Sequence, residues 1–195
     1  MVLVGRVGHN KTSPFGSRSL GKAHLGERDD NMESTRGIIW IHSAPTALCP
    51  HIEWAVSAAV GSPVRFDWTP QPAEPRSQRA EFAWSGAVGT GAEVASALVR
   101  CQRLRFEVTE EGVRGEGMRW AYTPSLGVFS GATARNGDIL VHENRIKRAL
   151  VSEALGGKPI HDALADLLGT NWDAELEVFR HAGEDAPVRW LHRVS

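Results

Sequence analysis

Cysteine is scarce in this chain: there are two in 195 residues, Cys49 and Cys101, far apart and in no C-x-x-C pair. That excludes a disulfide scaffold and a thiolate zinc centre, and points to a reducing, cytoplasmic setting. Long hydrophobic runs are missing too. No apolar stretch approaches the roughly 20 residues of a membrane-spanning helix, and the opening MVLVGRV is too short and too early-charged for a secretory signal. Net charge is close to zero, at -1, so nothing draws the chain as a whole to nucleic acid. Gly86, Gly89 and Gly91 lack the spacing and the Lys-Ser/Thr of a phosphate loop, and neither G-x-S-x-G nor H-E-x-x-H occurs. Asp162, Asp166, Asp173 and Glu175 read as helix surface and capping, which leaves no acid/base pair. Neither a cofactor nor a metal is expected.

What is present is the composition of one compact domain, 42% hydrophobic and 23% charged, enough for a substantial core. The pattern is organised around Arg36 to Gly61. Ile38 to Ile41 is a β-branched and aromatic strand, while Ile52, Ala55, Val56, Ala59 and Val60 form one helical stripe. Pro50 suits the first helical position, Cys49 falls at the cap and Gly61 closes the helix. The loop Ser43 to Cys49 is where chemistry is expected.

Before this unit, residues 1–31 show no persistent hydrophobic period. Five cations against three carboxylates give them +2 and leave -3 for the remainder. They read as a disordered leader, and Met32 as the natural start. After the unit, Val64, Phe66 and Trp68 alternate as a second strand, and Ala80, Phe82 and Trp84 as a third. Thr90 and Glu93 form a capping box before the stripe Val94, Ala97, Leu98 and Cys101, and Leu104, Phe106 and Val108 make a fourth strand. The order β-α-β-β-α-β over 32–110 predicts an α+β, ferredoxin-like core within a single domain, 32–195. An elaboration, 111–195, adds strands at Met118 to Tyr122, Val128 to Thr133 and Ile139 to Val141, the last two joined by an Asn136-Gly137 hairpin. Helices are expected over Glu143 to Leu155, Pro159 to Leu168 and from a Thr170–Asp173 capping box onward, then a last strand at Val188, Trp190 and His192.

Parity puts the apolar strand residues toward the two core helices and leaves Trp40, His42, Arg65, Asp67, Arg79, Glu81, Arg103, Arg105 and Glu107 on the opposite face. This Trp-bearing polar face, with Ser43 and His51 at its loop end, is the candidate surface for a ligand or partner, since Trp and Arg are favoured at binding hot spots. Cys49, whose thiolate a helix N-terminus would stabilise, with His42 as base, is the catalytic alternative. Trp54 lies off its helix's apolar stripe and is expected under the elaboration. RNA binding is disfavoured, because Phe82 and Trp84 sit on the helix face where an RNA-recognition motif needs rings on the open one.

The stretches STRGIIWIHSAPTALCPHIEWAV, FDWTPQP, RLRFEVTEE, YTPSLGVF, NGDILV and APVRWLHRV resemble an actinobacterial family catalogued as a domain of unknown function, over Met32 to Ser195. The resemblance implies a cytoplasmic protein and a link to fatty-acid metabolism, and brings no activity or catalytic residue. Together these readings lead to a non-enzymatic regulatory or adaptor protein that binds a small metabolite or a protein partner, with a homodimer as one arrangement. A thiol-dependent enzyme is the alternative.

Overall fold

The hydrogen-bonding pattern of the chain builds one sheet with helices on both sides. The structure is a computed structural model, and it describes residues 33–113 and 115–182. The expected leader over residues 1–31 and the last strand at Val188, Trp190 and His192 lie outside the described residues.

Strand β1 (Ser34–Pro45) is followed by a 3-10 turn at Thr46–Leu48 and helix α1 (Cys49–Val60). Next come β2 (Thr69–Pro70), β3 (Ser77–Ala87), α2 (Thr90–Val99) and β4 (Arg105–Glu110). The second half adds β5 (Gly117–Thr123), β6 (Gly127–Thr133), β7 (Ile139–Leu140), α3 (Glu143–Ala154), α4 (Ile160–Leu168) and α5 (Thr170–Arg180). All seven strands join one sheet in the order β2-β3-β1-β4-β5-β6-β7, and every neighbouring pair is antiparallel. The α+β class therefore holds.

Alternation of side chains across this sheet makes two cores. Ile39, Ile41, Phe106 and Val108 meet Ile52 and Val56 of α1 and Val94 and Leu98 of α2 on one face. On the other face Ala121 and Phe129 receive Leu176 of α5, with Ile139 and Trp172 beside them. Helix α5 thus covers part of the face that parity leaves polar, and its amphipathic stripe brings charged side chains with it.

Several local expectations change. Val64 and Phe66 are buried as alternation requires, but 63–68 is not a strand. Its backbone donors go to helix α1: Val64 N–H to Ser57 Oγ at 2.8 Å and Phe66 N–H to Glu53 Oε1 at 3.1 Å. Strand β1 continues to Pro45, so the expected loop from Ser43 shrinks to the 3-10 turn. Neither capping box forms. Gly89 and Gly169 occupy the N-caps of α2 and α5 in left-handed conformation. At α2 the orphan donors are met from the sheet, where the two oxygens of Glu110 accept from Gly89 N–H and Gly91 N–H at 2.7 Å each. Trp54 is 68% exposed rather than packed beneath the elaboration.

Candidate functional site

The site begins with an irregularity in β1. Pairing with both β3 and β4 shifts register between Ile41 and Ser43 or Ala44, so His42 lies at a bulge. A bulge re-aims a side chain that regular pleating would fix. Four consecutive residues, Ile41 to Ala44, are then buried, against the alternation of the rest of the strand. The bulge is held from outside the sheet: Gln71, itself buried, donates through Nε2 to the carbonyl of His42 at 2.5 Å and to that of Phe179, at the end of α5, at 3.2 Å.

Beside the bulge, Glu107 of β4 gathers three cationic or polar donors. His42 Nε2 donates to its Oε2 at 2.6 Å. Arg119 of β5 reaches Oε1 through Nε at 2.9 Å, and Arg180 of α5 straddles the carboxylate, Nε to Oε2 at 2.9 Å and Nη2 to Oε1 at 2.8 Å. Asp173, two helical turns before Arg180, takes both guanidiniums, at 2.5 Å from Arg119 Nη2 and 2.7 Å from Arg180 Nη2. Two carboxylates and two guanidiniums therefore neutralise each other across three elements. Burial pushes the Glu107 pKa up, but the hydrogen bonds from His42 and Arg180 and the charge of Arg119 outweigh it and hold the carboxyl far below the ordinary range. Arg180 shows the converse: burial pulls its pKa down, and Glu107 and Asp173 raise it well above the usual arginine value. The two carboxylates and two guanidiniums form a fixed, mutually neutralised charge network.

The network forms one wall of a cleft of about 760 Å³ over the sheet. Trp40, His42, Asp67, Thr69, Arg79 and Glu81 line the remainder, with Phe179 and Arg180 from α5. Trp40 stands opposite Glu81 on β3 and Glu107 on β4, so the half-buried indole lies in a row between two carboxylates. Glu107 is saturated by its partners. Asp67 and Glu81 are exposed and make no hydrogen bond or ion pair among the described residues. Arg79 spends one donor, Nη1, on the carbonyl of Ala182.

Of the residues singled out in the sequence, Trp40, His42 and Arg79 meet in this cleft. Ser43 and Arg105 stand in a neighbouring cluster, where both bind Glu74, Arg105 Nη1 at 2.9 Å. The Arg105 guanidinium also lies 4.3 Å over the ring of Phe179. Arg65 and His51 are elsewhere. Arg65 pairs with Glu53 of α1 at 2.6 Å, and His51 is exposed on α1 with its ring 5.8 Å from that of Trp54. The reason is that the Val64 to Trp68 segment is tied to α1 and not to a sheet neighbour. Cys49 is buried at the start of α1, its Sγ 4.0 Å from the Pro45 carbonyl oxygen, and burial pushes its thiol pKa up. That is the opposite of an activated thiol, and His42 is engaged by Glu107 on the other side of the sheet.

Sequence reasoning passed over Gln71, Arg119 and Arg180, and read Asp173 only as helix surface and capping. A signal for two of them was present: Asp173, Leu176 and Arg180 fall at i, i+3 and i+7, so both charges share a helix face with a core leucine. Among the described residues, no group of three or more His, Cys, Asp or Glu side chains is placed to hold a metal ion. No helix there is long and apolar enough to cross a membrane.

Comparison with known proteins gives a family and no activity. No curated protein and no solved structure matches the chain. A family model described as "Protein of unknown function (DUF3145)" matches residues 38–193, which takes in most of β1 with its bulge, the cleft and α5, and the chain belongs to that family.

Proposed function

We propose that this protein is a non-enzymatic regulatory protein that binds a small polar metabolite in the cleft between the sheet and α5. The observation that carries the reading is the division of labour among the lining groups. Glu107, Asp173, Arg119 and Arg180 neutralise one another and fix the wall, whereas Trp40, Arg79, Asp67 and Glu81 keep contact capacity for a ligand. A preformed concave site with a few placed polar groups is how small ligands are recognised. Support for a ferredoxin-like first half comes from the order β2-β3-β1-β4 and from α1 packing against α2. The actinobacterial and cytoplasmic setting, the link to fatty-acid metabolism and the homodimer belong to the same reading. So does the division into a leader and a domain from residue 32.

The thiol-dependent alternative has less support, since burial raises the Cys49 thiol and the cleft is lined by His42 without Cys49. Native mass spectrometry of the protein isolated from its own host tests the binding reading, alongside Trp40→Ala and Arg79→Ala. A retained small mass that both variants lose is the expected result. Associations identical in wild type and both variants would overturn it.

A further inference from the structure

The free groups of the cleft differ in sign, and their placement on the sheet separates the signs. Arg79 and Glu81 are two residues apart on β3, hence on one face, and β1 sets Trp40 directly opposite Glu81. Arg79 lies toward the bulge end of β1, at the level of His42 and Ser43, between the paired positions Ile41–Ala80 and Ala44–Gln78. Thr69 pairs with Arg79 from the outer side, and Asp67 precedes it. The floor is therefore acidic and aromatic toward Trp40 and cationic toward Arg79.

His42 adds a second, independent pointer. Its side chain is nine-tenths buried, with 10% of its surface exposed, and it lines the cleft. Nε2 is fixed on Glu107, while Nδ1 has no partner among the described residues. With Nε2 held on Glu107 the ring is fixed in one orientation, and Nδ1 is its remaining polar atom. A ligand in the cleft meets this ring at a fixed polar edge.

These groups match a ligand that carries an ammonium and a carboxylate together. We infer that the cleft takes a zwitterionic, amino-acid-like small molecule. The ammonium sits over the Trp40 ring, with the carboxylates of Glu81 and Asp67 as its acceptors and the fixed His42 ring beside it. The carboxylate goes to the donors that Arg79 does not spend on Ala182. Cation–π attraction and a guanidinium–carboxylate pair each recognise one half of such a molecule, so neither half alone satisfies the site. This inference rests on the binding reading above.

A matched set of probes separates the halves: L-norvaline, butylamine, which lacks its carboxylate, and pentanoate, which lacks its amine. A pool of the twenty common L-amino acids joins them, so that side-chain preference does not decide the outcome. Binding to the full-length protein is followed at millimolar concentration by the indole N–H resonance of Trp40, assigned through Trp40→Phe. The expected result is that norvaline or a member of the pool shifts that resonance and binds at least tenfold more tightly than either half. Glu81→Gln then weakens the zwitterion and butylamine, and Arg79→Gln weakens the zwitterion and pentanoate. Butylamine or pentanoate binding as tightly as the zwitterion would overturn the inference, as would silence from the whole panel. The retained mass decides the broader reading separately: a mass lost in Trp40→Ala with no response to the panel sinks the zwitterion and leaves the metabolite-binding cleft standing.

Discussion

Replacing Glu107 by glutamine tests the charge network at its centre. Gln keeps the shape but removes the charge that Arg119 and Arg180 share, leaving two guanidiniums, whose side chains are 14% and 23% exposed, on Asp173. Removing one partner from a buried ion pair costs about 3–5 kcal/mol, because the remaining charge stays desolvated. For a domain of this size that corresponds to a fall in Tm of roughly 6–20 °C. The pH dependence gives an independent sign. A carboxyl whose folded pKa is depressed contributes stability that is fully present above its unfolded pKa of about 4.3 and is lost as pH falls toward the folded value. Wild type should lose Tm steeply below about pH 4, where the unfolded chain's carboxyl takes up a proton that the folded one does not, and Glu107→Gln should lack that part of the slope, so that the two curves converge in acid. Circular dichroism melts from neutral pH into acid measure both quantities. The double variant Glu107→Gln/Arg180→Gln should cost less than the two single changes added together, since each single change orphans a charge. A Glu107→Gln protein that melts within about 2 °C of wild type at neutral pH, less than 1 kcal/mol, with the same acid slope, would refute this account of the network.

Three further outcomes follow from the same geometry. Glu110→Ala removes the acceptor of the Gly89 and Gly91 N–H groups and should cost about 1–2 kcal/mol, the worth of a lost N-cap, with faster hydrogen exchange confined to the first turn of α2. Gly37→Ala should prevent folding or yield insoluble protein, because a Cβ there falls inside the contact distance of the Thr109 carbonyl oxygen and 2.8 Å from the Trp84 ring; a soluble variant with wild-type Tm would contradict the close approach of β1 and β4. Cys49 should react with alkylating reagents more slowly than a free thiol and only as pH rises above the ordinary cysteine range, and fast labelling at neutral pH would revive the thiol-dependent alternative.

Periodicity along the chain was sufficient for the helices, the long strands and the side of the sheet that the apolar residues of the first half join. Ile39, Ile41, Phe82, Trp84, Leu104, Phe106 and Val108 all gather at the α1–α2 core, as their alternation requires. That information is local, because burial on a pleated or helical surface depends on spacing within one element. Trp40, His42 and Arg79 were legible as members of one face for the same reason. Arg65 was misplaced because its segment, though alternating, gives its hydrogen bonds to Glu53 and Ser57 of a helix, and spacing does not reveal a hydrogen-bond partner.

The site itself required the tertiary structure. The bulge that aims His42 depends on pairing with β3 and β4 together and on Gln71 clamping its carbonyl to the end of α5. Asp173 reads as helix surface and capping in the sequence, and Arg180 carries no reading there; only the packing of α5, with Leu176 on Phe129 and Ala121, carries both charges down beside Glu107. Electrostatic partners separated by as many as 73 residues in the chain are chosen by packing, since Coulomb attraction between them matters only once burial has removed the water. The sequence by itself therefore determined the faces of this protein, and the docking of α5 across one of them decided which polar groups were neutralised and which were left to meet a ligand.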